Sequence, residues 1–333
     1  MACSSLFVPS DPAQPRASSP LIIQVRGLRK QYGDNVALQA LDLEIEAGGV
    51  VGILGPNGAG KTTFVEIVEG LRDATSGSVS VLGMDPASQG PELRERLGVQ
   101  LQKTALPTEL TVREMLDLFA AFYTSALPTD SILQKINLLS QADQKADTLS
   151  GGQQQRLVVG IALIHDPEIV ILDEPTTGLD PKARRDLHGV IRELREQGRT
   201  TILTTHYIEE AELLCDRVIM MRSGEIVADG TPFDLVGQSS ESSTIWIHVD
   251  GDMDPAPMIA AGVEPLGQQG DHHKFATTDP TATILALGDM LRSQGLSLVD
   301  LRLKRPTLED VYLELMGDVP ADDDQAIDDG AGS

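Results

Sequence analysis

The sequence predicts an α/β fold in which a parallel sheet is covered by helices, and three observations carry that prediction. Short apolar strand candidates, Val50 to Leu54, Ile169 to Leu172 and Thr200 to Thr204, alternate with helical patterns between Leu21 and about Pro232. Alternation of this kind joins parallel strands through crossover helices. The first of these strands runs into Gly55, Pro56, Asn57, Gly58, Ala59, Gly60, Lys61, Thr62 and Thr63, which match the spacing G-x-x-x-x-G-K-[ST] and open a helix-like stretch. The second ends on Asp173 and Glu174, which places two carboxylates at the strand edge where parallel sheets bind ligands.

Along the chain, residues 1–20 hold four prolines among Ser and Ala and are expected to form a disordered leader. Residues 21–232 carry the α/β pattern. Within them Asp180 and Pro181 make a helix opening, with Asp as cap and Pro at the first helical position. Leu187, Val190, Ile191 and Leu194 then form one apolar stripe, which Gly198 closes. From residue 233 to 317 the character changes to a strand-like Thr244 to Val249, a Pro/Gly-rich stretch, a helix over Ala282 to Gln294, and a last amphipathic segment capped by Thr307 with Leu308, Val311, Tyr312 and Leu315 at helical spacing. This region is expected to form a small α+β domain. Residues 318–333 contain six aspartates and no base, and are expected to be an acidic disordered tail. No internal repeat is present.

The bulk numbers exclude several classes. At 333 residues the chain suits about two domains. No apolar run approaches the ~18 residues of a membrane span. The start lacks the basic and apolar regions of a secretion signal, and Cys3 and Cys215 cannot build a disulfide framework, so a reducing cytoplasm is expected. A net charge of −24 argues against a nucleic-acid partner, because a phosphate backbone needs clustered Lys and Arg.

The glycine-containing loop has the chemistry of a triphosphate cradle. Its glycines let backbone N–H groups turn inward, and the following helix aims its positive end at phosphate. Lys61 then reaches the terminal phosphates, and the Thr62 hydroxyl is placed to ligate Mg²⁺. Asp173 can complete the Mg²⁺ shell, while Glu174 can take a proton from an attacking water as general base. A Gly-rich surface turn and an acidic strand end without chemistry are the bland alternatives; the flanking strand and helix, and the pairing of the two motifs, weigh against them. His272 and His273 show no metal-ligand spacing.

Leu149, Ser150, Gly151, Gly152 and Gln153 stand about twenty residues before the acidic strand and open a helix. This pentapeptide resembles the signature of the ATP-binding-cassette (ABC) ATPases, and the remaining motifs of that family follow in order. Tyr32 stands where an aromatic ring stacks on adenine. Gln102 matches the glutamine between the core and the helical subdomain, at the expected distance from Leu110, Thr111 and Val112; Gln100 is the other candidate. Gly178 to Asp180 match the segment after the acidic strand, and His206, following Thr205, matches the switch histidine that contacts the γ-phosphate. One departure is Gly48-Gly49, where many relatives have Gly-Glu.

The resemblance implies a cassette with a parallel-sheet core, an antiparallel β subdomain and a helical subdomain at about residues 104–155. It implies catalytic roles for Glu174, His206 and Gln102, with Gln102 also near the metal, and nucleotide contacts from Ser150, Gly151, Gly152, Gln153 and Asp180. In the family the signature of one subunit meets the γ-phosphate held by another. A homodimer, or a heterodimer with a similar cassette, is therefore implied, two ATP molecules being sandwiched head to tail.

Lys61 and Asp173 are 112 positions apart with no long heptad insertion, which disfavours the repair-type members; a single cassette without a basic linker disfavours the translation factors. What remains is the nucleotide-binding subunit of a transporter, working at the cytoplasmic face of the membrane through a separate permease. The segment Arg305 to Leu315 resembles the tail of the daunorubicin-resistance-type exporter cassettes, which implies export of drugs or other hydrophobic compounds. The alternative is an ATP-switched regulatory module whose C-terminal region senses a ligand, with little turnover.

Overall fold

The computed structural model describes residues 19–101, 106–238 and 242–316; most of the expected leader, the expected tail and Gln102 lie outside the described residues. In chain order its elements are strands β1 (Leu21–Tyr32), β2 (Asn35–Glu46) and β3 (Gly49–Leu54), helix α1 (Lys61–Val68), β4 (Ser76–Val81), α2 (Gly90–Arg94), β5 (Leu97–Gln100), α3 (Val112–Ala120), α4 (Thr129–Lys135) and α5 (Gly151–Leu163). There follow β6 (Ile169–Asp173), α6 (Pro181–Glu196), β7 (Thr200–Thr205), α7 (Ile208–Leu214), β8 (Arg217–Arg222), β9 (Glu225–Gly230) and α8 (Pro232–Gln238). The last part holds β10 (Ser243–Val249), α9 (Ala256–Ala260), β11 (Glu264–Gln269), β12 (His272–Thr277), α10 (Pro280–Gln294), β13 (Leu298–Lys304) and α11 (Leu308–Met316).

The central sheet has the order β5-β6-β7-β3-β8-β9, parallel throughout except that β9 runs antiparallel to β8. Every residue of β6 and β7 is buried, as expected of parallel strands covered on both faces. Register brings the strand ends together: Leu54 pairs with Thr205, and Asp173 with Thr204. The phosphate loop, the acidic pair and His206 thus leave the same edge of the sheet.

A second sheet, β2-β1-β4, is antiparallel and lies against α1 and the central sheet through a shared core that includes Ile23, Leu28, Leu38, Ile45, Phe64 and Ile171. Helices α3, α4 and α5 pack on one another through Met115, Leu116, Ile132, Ile136 and Leu157, all fully buried. The stripe Leu187, Val190, Ile191 and Leu194 of α6 is buried in that same core. Gly152 lets α5 approach α6, since a Cβ there would stand 2.3 Å from the Ala183 Cβ.

The third sheet, β11-β12-β10-β13, is wholly antiparallel and follows a β-α-β-β-α-β order. Its core is separate, formed by Ile245, Ile247 and Phe275 beneath Met258 of α9 and Leu287 and Met290 of α10. The last helix leaves this unit. Leu308, Val311 and Met316 of α11 join the core of the first part beside Ala211 and Leu214 of α7 and Leu235 of α8, and Arg222 Nη1 donates to the Leu315 carbonyl.

Candidate functional site

A cleft of about 540 Å³ opens between the antiparallel sheet and the start of α1. Tyr32, Asn57, Gly58, Ala59, Gly60, Lys61, Thr62, Thr63 and Glu174 line it, together with Val36, Ala37, Gln39 and Ser223. Residues far apart in sequence therefore share one wall because β1 and β2 fold over the phosphate loop. Gly60, with φ of 104°, makes the turn from loop to helix; a Cβ there would stand 2.7 Å from the Ala37 carbonyl oxygen. That combination admits no other residue without a shift.

Lys61 is 4% exposed and donates from Nζ to the carbonyls of Gly55 at 2.7 Å and Pro56 at 3.3 Å. Its ammonium is also 3.6 Å from Glu174 Oε1, and the other Glu174 oxygen is 3.5 Å from His206 Nδ1. Glu174 thus stands between the loop lysine and the histidine at the end of β7. Its backbone is strained, with φ of 47°, and its N–H is held by the Thr204 hydroxyl at 2.9 Å.

Asp173 accepts from the Thr204 hydroxyl and lies 3.5 Å from the Thr62 hydroxyl. Burial pushes its carboxyl above the usual range, against the Thr204 hydrogen bond, and burial likewise holds the Lys61 ammonium below its ordinary value, against the attraction of Glu174. Thr62 and Asp173 offer hard oxygen donors side by side, a donor set that fits Mg²⁺, which takes few protein ligands when phosphate oxygens and waters supply the rest. Among the described residues no cluster of three or more His, Cys, Asp or Glu could hold a metal by itself.

Tyr32 is half exposed at the rim, with Lys30 Nζ 5.0 Å and Arg72 Cζ 5.2 Å from its ring centre. A planar base could still lie on its open surface.

A sequence profile of ABC transporters matches residues 38–177. The chain is 36% identical over 306 residues to the Nod factor export ATP-binding protein I of Rhizobium johnstonii, covering 90% of this chain and 96% of that protein. It is 35% identical over 308 residues to the daunorubicin resistance ATP-binding protein DrrA3 of Streptomyces coeruleorubidus, covering 89% and 96%. The chain belongs to the ABC transporter ATPases. Solved cassettes agree: an ATP-binding subunit of an ABC transporter superposes with a TM-score of 0.59 at 28% identity over 65% of this chain and 92% of that one. A dimeric post-hydrolysis cassette bound to ADP and Pi gives 0.56 at 28% identity over 63% and 98%.

As an ABC ATPase the chain binds and hydrolyses ATP, and cassettes of this family work with membrane subunits and form dimers. Among the described residues no helix is long and apolar enough to cross a membrane. The signature lies outside the cleft of its own chain. Ser150 caps α5 in a reciprocal box, its hydroxyl accepting from Gln153 N at 3.4 Å while Gln153 Oε1 accepts from Ser150 N at 2.9 Å. Ser150 and Gly151 are exposed and Gly152 is buried. Asp180 is likewise occupied locally: Oδ1 caps α6 by accepting from Lys182 N at 2.8 Å and Ala183 N at 2.9 Å, and the Ala183 bond first, then the Lys182 bond, hold its carboxyl below the usual range.

Two residues beside the site were given no role by the sequence: Gln100, set aside there in favour of Gln102, and Glu69. Gln100, at the end of β5, is 1% exposed and donates to the Asp173 carbonyl at 3.3 Å. Glu69, one turn beyond Glu66 on the far end of α1, is 2% exposed, and neither carboxylate oxygen has a hydrogen-bond partner among the described residues. Burial, with Asp173 adding like charge, pushes its carboxyl up to about 8. The sequence signal for Glu69 is its place four residues after Val65, on the apolar face of α1.

Proposed function

We propose that this ABC ATPase is the energising subunit of an exporter whose permease is a separate polypeptide, and that it works as a cassette dimer at the cytoplasmic face of the membrane. The relatives named for Nod factor export and daunorubicin resistance support an exporter role, with drugs or other hydrophobic compounds as the cargo. The convergence of Lys61, Glu174 and His206 at one sheet edge carries the assignment of the chemistry.

Lys61 gives up its loop carbonyls when phosphate enters and places its charge on the terminal phosphates. Thr62 and Asp173 would hold Mg²⁺, which neutralises charge on the phosphates when bound. Glu174 accepts the proton of the attacking water, and His206 bridges Glu174 and the γ-phosphate. Tyr32 supports the base. Gln102, following β5 and Leu101, contributes to the metal surroundings and to the link with the permease. Ser150, Gly151, Gly152 and Gln153 offer a helix N-terminus and hydroxyl with no anion of their own, suited to the γ-phosphate of a second copy, and Asp180 lies beside that interface. Residues 21–232 act as the ATPase domain and 233–317 as an accessory domain tied back through α11.

Steady-state phosphate release by the purified chain and its Glu174→Gln variant tests the reading. The variant is expected to bind ATP with parent-like affinity and lose about a hundredfold or more in turnover, on the scale of a lost general base. Parent-like turnover would remove Glu174 from this role. The regulatory-module alternative has no specific structural observation in its favour.

A further inference from the structure

Glu210 belongs to none of the motifs named above, yet three segments of the chain meet on it. It lies on α7, four residues beyond His206, and is 2% exposed. Its Oε2 accepts from the Thr176 hydroxyl at 2.8 Å and from the Thr205 hydroxyl at 3.1 Å. Its Oε1 is 3.0 Å from His188 Nε2 and 3.7 Å from Arg184 Nε, both on α6. Burial favours the neutral acid, but His188, Thr176 and Thr205 outweigh it and hold the carboxyl below the usual range. One oxygen thus accepts from two threonine hydroxyls, and the other faces the His188 ring and the Arg184 guanidinium.

The positions of those donors give the carboxylate its consequence. Thr176 is two residues after Glu174, Thr205 is one residue before His206, and α6 begins at the Asp180 cap. Glu174 itself sits at φ of 47°, a conformation that persists only where the surroundings over-determine it. Thr204 fixes the N–H on one side of that strained residue, and the Thr176–Glu210 bond fixes the turn on the other.

We propose that Glu210 is a positioning residue for hydrolysis: its carboxylate clamps the turn carrying Glu174 to the strand end carrying His206, so that both side chains converge on one phosphate. The inference rests on the roles given above to Glu174 and His206. It predicts that the clamp acts on the rate of the chemical step and not on nucleotide binding, because the partners of the Glu210 carboxylate, Thr176, Thr205, His188 and Arg184, lie on the turn after β6, the end of β7 and α6.

Glu210→Gln keeps the shape but removes the charge and replaces one acceptor oxygen with a donor, so the groups on one side of the carboxylate must reverse their hydrogen bonds or go unpaired. The full chain carrying Glu210→Gln, Thr176→Val or Thr176→Ser is compared with the parent for kcat, KM for ATP, ATP affinity and thermal midpoint. Glu210→Gln is expected to lower kcat about tenfold or more, a cost typical of misplacing a catalytic group, with KM and affinity within about twofold. Thr176→Val should fall in the same direction, Thr176→Ser should recover most of the rate, and combining Glu210→Gln with Thr176→Val should cost less than the product of the two losses. Parent-like kcat in Glu210→Gln or in Thr176→Val would overturn the clamp, as would losses that multiply independently. Glu174→Gln run alongside separates the cases: full turnover there removes the underlying reading and the clamp with it, whereas a dead Glu174→Gln beside a fully active Glu210→Gln removes the clamp alone.

Discussion

Lys61 is held by its own loop and by Glu174, so a triphosphate competes with contacts that already satisfy the ammonium. Charge-assisted bonds to phosphate are the stronger ones, and the exchange favours the ligand. Lys61→Ala is expected to weaken ATP binding by about tenfold or more, read by calorimetry, since a bond between a charged group and its ligand is worth roughly 1.5–3 kcal/mol. Glu69 makes a different prediction. Its carboxyl ionises near 4.5 when unfolded and near 8 when folded, so between these values the folded state holds a proton that the unfolded state has lost. Stability should therefore fall as pH rises from 4.5 towards 8 and level off above. Glu69→Gln should remove much of that slope and raise stability at pH 8 by roughly 3–5 kcal/mol, measured by denaturant titration of magnesium-free protein. The contrast shows what a sequence can disclose. The places of Lys61, Thr62, Asp173, Glu174 and Ser150 at a loop, a strand end and a helix start were legible because each depends on a short backbone conformation that spacing specifies. Glu69 and Glu210 were not, because their environments are created by α1, α6 and β7 meeting in three dimensions.

Strands β3, β6 and β7 were readable from apolar runs because both faces of a parallel strand are buried, and the capped starts of α6 and α11 were readable from Asp180 and Thr307. The destination of α11 was not. An amphipathic stripe says that one face is covered, not by what. The structure shows Leu308 and Val311 in the core beside α7, the helix that bears Glu210. Leu308→Ala should cost about 2–5 kcal/mol of unfolding free energy, the range for truncating a buried leucine, and the loss should appear in the transition of the ATPase part. Were only the unit built on β10 to β13 to loosen, as judged by hydrogen exchange, α11 would not be docked as described.

On the scale of the whole molecule, the exposed edge carrying Ser150 and Gly151 and the cleft carrying Lys61 are separate features of one chain, and under the proposed function each completes the other's site in a second copy. A two-fold pairing satisfies both at once. Mixing two inactive variants tests this most directly. Lys61→Ala and Ser150→Arg chains are each expected to be nearly inactive alone, yet in equal mixture they should recover roughly a quarter of parent ATPase activity, because half of the randomly paired dimers contain one intact site of two. No recovery from chains shown to exchange subunits would mean that Ser150 serves its own chain, and would contradict the account.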